Sequence, residues 1–68
     1  MVYRVVFHRD GREVGTLYWS GSLEETKRLA RRIASERDAD RFEVSVLADK
    51  AAETYIERRP FGEDVTNH

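Results

Sequence analysis

The sequence predicts an α+β fold in two layers, with one helix packed on a four-stranded, mainly antiparallel sheet in the order β-β-α-β-β. Three observations carry that prediction. Apolar and polar residues nearly alternate over 2–8, 13–19 and 42–47, the period of half-buried strands. An Asp10-Gly11 turn signal separates the first two runs. Ser22-Leu23-Glu24-Glu25 has the spacing of a capping box and opens a stretch with apolar residues three and four apart. A chain of 68 residues suffices for one domain, expected over 1–59, with 60–68 as an aperiodic C-terminal tail.

Each element has its own justification. In the first strand, Val2 to His8, β-branched and aromatic side chains dominate, and the second runs from Glu13 to Trp19. A three-residue loop, Arg9-Asp10-Gly11, would set Tyr3, Val5 and Phe7 on one face with Gly15 and Leu17, and Trp19 beyond them. A two-residue loop would bring Val14, Thr16 and Tyr18 there instead, because a slip of one residue inverts a strand. The three-residue loop is preferred because it gathers the largest apolar side chains. The helix should begin at about residue 23, with Leu23, Thr26, Leu29, Ala30, Ile33 and Ala34 as its apolar stripe and Leu29 and Ile33 as the principal contacts.

Phe42, Val44 and Val46 then face inward in the third strand, a loop covers 49–53, and Thr54 to Arg59 forms the fourth strand with Ile56 inward and Tyr55 opposite. Pro60 ends it, having no amide donor. The first and third strands have the densest apolar content, so the expected spatial order is 2-1-3-4, all antiparallel; the competing order 1-2-3-4 would need a parallel pair of the second and third strands, reached by the helix crossover.

Composition removes several function classes. Twelve Lys and Arg against thirteen Asp and Glu leave a net charge of -1, which is not the signature of a general nucleic-acid or anionic-membrane binder. The absence of cysteine excludes a disulfide scaffold, thiolate metal sites and a cysteine nucleophile. Apolar runs reach only Val5-Val6-Phe7 and Val46-Leu47-Ala48, far short of the ~20 residues of a membrane span. No basic-then-apolar leader pattern is seen, so the expected location is the cytoplasm.

Few residues suit catalysis. The histidines are His8, read as a solvent-facing strand residue, and the terminal His68. Ser22 is explained by helix capping, and the carboxylate pairs Glu24-Glu25, Asp38 with Asp40, and Glu63-Asp64 by the helix terminus, a loop and the tail. The four glycines are too scattered for a phosphate loop. No enzyme activity, cofactor or metal is expected.

Two surfaces remain. Lys27, Arg28, Arg31 and Arg32 form a basic patch on the helix that suits contact with an anion or nucleic acid, although Glu24 and Glu36 are spaced to pair with Arg28 and Arg32. The sheet face away from the helix is expected to carry Val6, Val14, Tyr18, Leu47 and Tyr55 among Arg4, Thr16, Ser45 and Glu57, a candidate interface because nothing in a two-layer domain covers it. The expected function is a small non-catalytic interaction domain whose partner is a second copy, forming a homodimer through that sheet face or an edge strand, or another protein. Nucleic-acid binding by the helix is the alternative, and no membrane partner is expected.

The run from Tyr3 to Gly11 and the capped, Arg/Ala-rich stretch from Ser22 to Ala34, about a third of the chain, resemble small uncharacterised bacterial hairpin-helix-hairpin domains. The resemblance implies the same fold and no particular activity or ligand.

Overall fold

The computed structural model describes residues 1–48 and 54–61. Strand β1 (Val2–Arg9) turns into β2 (Arg12–Ser20), helix α1 (Leu23–Glu36) follows, and β3 (Arg41–Val46) and β4 (Tyr55–Arg58) complete the chain order. The sheet has the order β2-β1-β3-β4 and every neighbouring pair is antiparallel, as the distribution of apolar residues predicts. The loop expected over 49–53 and residues 62–68 of the expected tail lie outside the described residues.

The β1-β2 hairpin reaches the expected register by another route. Its loop is the two-residue Asp10-Gly11, both residues having positive φ (53° and 78°) as a type I′ turn requires. Such a loop alone would invert β2. An irregularity between Phe7 and His8 restores the pairing, because His8 faces Glu13 while Phe7 faces Gly15, leaving Val14 as the extra residue. Beyond it Tyr3 pairs with Trp19 and Val5 with Leu17. The expected face is thus formed, with a bulge in place of a longer loop. Asp40 braces the turn by accepting the Asp10 backbone N–H at 2.9 Å.

Helix α1 begins as its capping box dictates. Ser22 Oγ accepts the Glu25 N–H at 3.1 Å, and Glu25 Oε1 accepts the Ser22 N–H at 3.1 Å. Gly21 is needed beside it, since a Cβ there would lie 2.7 Å from Glu25 Oε1 and 3.1 Å from Trp19 Nε1. At the other end Ala39 N–H donates to Ala34 O at 2.8 Å and Asp38 N–H to Ser35 O at 3.3 Å, a Schellman motif with Asp38 at φ 58°.

The core lies between α1 and the two central strands. Phe7, Phe42, Val5 and Val44 are its largest fully buried apolar side chains, with Tyr3 beside them, and Phe42 meets the rings of Phe7, Tyr55 and Phe61 at 6.4, 6.3 and 5.4 Å. Phe61, which the sequence assigns to the tail, therefore belongs to the packed unit. The helix contributes differently from expectation: Thr26, Ala30 and Ala34 are its buried residues, whereas Leu29 and Ile33 are half-buried flanks. Small side chains at the seam let the helix backbone settle close to the sheet, so the larger ones straddle it. Thr26 is satisfied there by donating its hydroxyl to Ser22 O at 2.7 Å.

The fourth strand is turned over relative to its sequence reading. Val44 pairs with Tyr55 and Phe42 with Glu57, so Tyr55 and Glu57 share the helix side and Ile56 is 46% exposed on the other. This position is the margin of the core, where an aromatic ring with a polar tip and a carboxylate reachable by a helix arginine fit better than Ile56.

Candidate functional site

Alternation along the paired strands assigns the sheet's two faces. The side away from α1 receives Val2, Arg4, Val6 and His8 from β1, and Thr16, Tyr18 and Ser20 lie opposite them on β2. Arg41, Glu43 and Ser45 of β3 continue this face, which ends with Ile56 and Arg58 on β4. Leu47 follows in phase with Ser45, its N–H donating to Val2 O at 2.9 Å. Among the described residues no element packs over it.

Of the five expected interface residues, Val6, Tyr18 and Leu47 lie on this open face. Val14 and Tyr55 do not, because both pack against the core on the helix side, as does Glu57. The bulge redirects Val14, and the β4 register redirects the other two. Val2, 40% exposed, and Ile56 take their places as apolar side chains on the open face, beside Tyr18 at 57% and Leu47 at 48%. The sequence reads Ile56 as inward because β4 offers only four residues on which to judge a period, whereas Val2 is in phase with Val6 on β1 and is legible on this face.

Charges interrupt the apolar ones. Glu43 Oε2 lies 3.3 Å from Arg41 Nη2 and 3.6 Å from His8 Nε2. His8 is half-buried rather than solvent-facing, and neither its Nε2 nor Arg41 Nε has a hydrogen-bond partner. Arg4, on the central strand between Val2 and Val6, is exposed.

The basic helix patch divides in two. On the β4 flank Arg31 Nε donates to both Glu57 oxygens at 3.0 and 2.9 Å, and Tyr55 Oη donates to Glu57 Oε1 at 2.5 Å. The Glu57 carboxylate holds the Arg31 guanidinium above its already high range, against the opposing effect of burial. Burial, then the bond to Glu57, pushes the Tyr55 phenol up. Lys27 sits 4.2 Å over the Tyr55 ring and 3.6 Å from Glu24. Arg31 and Lys27 thus serve the fold's own contacts.

On the β2 flank Arg28 and Arg32 line a shallow depression with Trp19, Glu25 and Leu29. Neither arginine has an ion-pair partner among the described residues, and the Glu24-Arg28 and Arg32-Glu36 pairs that the spacing allows do not form. The position of Trp19 beside them follows from the short Gly21-Ser22 connection, which starts the helix next to the strand end.

The second asymmetry lies in the backbone. Strand β4, one edge of the sheet, has four residues and leads into Arg59 and Pro60. Strand β2, the other edge, has nine residues, and from Thr16 to Ser20 none is charged. Short length, charge and proline are the usual protections of an edge, and β4 has all of them. Strand β2 has charges and a bulge at its beginning only.

No family model matches the chain, and no curated protein or solved structure matches it either. No described helix is long and apolar enough to cross a membrane.

Proposed function

We propose that this chain is a small, non-catalytic interaction domain that associates with a second copy of itself. The observation that supports it is the bare edge of β2, nine residues long and uncharged from Thr16 to Ser20, beside an open face that leaves Val2, Tyr18, Leu47 and Ile56 between 40% and 57% exposed. A domain this small buries a modest fraction of its surface alone, and association adds buried area.

Molar mass by light scattering after size exclusion, at two concentrations, tests the proposal. The expected mass is about 16 kDa, twice the 8.0 kDa of one chain. Tyr18→Glu, which puts a charge where β2 and the open face meet, should return the mass to that of one chain without altering the circular dichroism spectrum. A mass of 8.0 kDa for the unaltered chain at every concentration overturns the proposal.

A second reading, contact with nucleic acid through the helix, is favoured by the unpaired Arg28 and Arg32 beside Trp19. It requires an oligonucleotide affinity that falls with salt and with Arg28→Ala, and salt-insensitive or absent binding counts against it.

A further inference from the structure

We infer that the second copy joins along the edge of β2, antiparallel, so that two four-stranded sheets become one of eight strands. The inference rests on the proposed self-association and names its seam. Its first support is the direction of the backbone groups. Gly21 N–H donates to Met1 O at 3.1 Å, which marks that pair as a hydrogen-bonded one. By alternation Trp19, Leu17 and Gly15 are also bonded to β1, and the N–H and C=O groups of Thr16, Tyr18 and Ser20 point away from the sheet. All three residues are exposed, and among the described residues no backbone bond reaches them from another element.

The second support is what each way of associating would bury. Packing two open faces together would enclose Arg4 and the His8-Glu43-Arg41 cluster, in which two nitrogens already lack hydrogen bonds. Removing such charges from water is unfavourable unless each is fully paired. Edge pairing leaves that face wet. It joins the uncharged Thr16 to Ser20 stretch to its own copy, so no like charges meet at the centre of the seam. The β4 edge would bring Arg58 and Arg59 of two copies together.

The register follows from the outward groups. Thr16 of one copy pairs with Tyr18 of the other and the reverse, with the two-fold axis at Leu17. On the helix side Leu17 meets its own copy, and Trp19, 39% exposed, lies opposite the other copy's Gly15, over which Arg37 Nη1 sits 3.1 Å from where a Cβ would be, a guanidinium on which an indole can stack. On the open face Tyr18, the most exposed large apolar side chain within a strand, meets Thr16.

Two variants of the full chain test the seam. Thr16→Pro removes an outward donor and no bond to β1, a substitution that an edge strand tolerates. It should give a mass of 8.0 kDa where the unaltered chain gives twice that, with the circular dichroism spectrum kept. Leu17→Cys introduces the chain's sole cysteine at a non-hydrogen-bonded pair across the axis, where Cα atoms lie ~4.5 Å apart and permit a disulfide. On oxidation it should form a covalent dimer, whereas Ile56→Cys should not.

A dimer that survives Thr16→Pro and gives no Leu17→Cys cross-link overturns the seam while leaving self-association intact, and dissociation by Leu47→Glu and Ile56→Glu would then assign the open face. A monomeric unaltered chain overturns both. If Thr16→Pro does not fold, the cross-link alone decides.

Discussion

Tyr55, Glu57 and Arg31 tie the margin of the core to the helix through one carboxylate that accepts from both a phenol and a guanidinium. Folding makes Tyr55 hold its proton more tightly, chiefly through burial. The sign of the linkage follows: the folded phenol titrates above the unfolded one. Its stabilising contribution is complete below the ordinary tyrosine range near pH 10 and is lost as pH rises through the folded value. Urea midpoints at pH 8 and pH 11 should therefore fall further for the unaltered chain than for Tyr55→Phe. Equal losses would show that Tyr55 does not carry the linkage. Nothing local in Thr54 to Arg59 announces this arrangement, because Tyr55 and Ile56 are both good strand residues and either is acceptable inward. The partner that decides between them, Arg31, is 26 positions from Glu57 in the sequence. Val14 shows the same limit, since only pairing with β1 determines which residue a bulge displaces.

The helix shows what an amphipathic stripe predicts and what it leaves open. Spacing alone locates the start at Leu23 and the inward side, because capping and periodicity are local properties. It does not say which stripe residue sits over the seam. Ala30 and Ala34 are 0% exposed, so the helix approaches the sheet at its smallest side chains. Ala30→Leu should cost about 1–3 kcal/mol through overpacking. Leu29→Ala, which truncates a half-buried flank, should cost less than the 2–5 kcal/mol of a core leucine. Urea denaturation of the two variants checks the order, and a larger loss from Leu29→Ala would contradict the assignment of the seam. The hairpin supplies a second lesson at this scale. Its register was legible from the apolar side chains, whereas its loop was not, because a type I′ turn with a bulge and a three-residue loop yield the same inward face.

At the scale of the whole molecule, a core of eight buried apolar residues among those described supports one helix and four strands with little to spare. Association of two copies would add to that stability by mass action. The urea midpoint should consequently rise with protein concentration, and a midpoint constant over a hundredfold range would argue for an independent monomer. The sequence by itself determined the fold class, the helix start and the inward faces of the first and third strands, whereas the strand order and the face of β2 were left between two alternatives until the strands paired. The features it determined follow from periodicity and capping, both of which act over a few neighbouring residues. Tertiary structure decided which way β4 faces, which helix arginines are already held, and how β2 differs from β4 as an edge. These depend on contacts between residues distant in the chain, where a single step of register exchanges one face for the other.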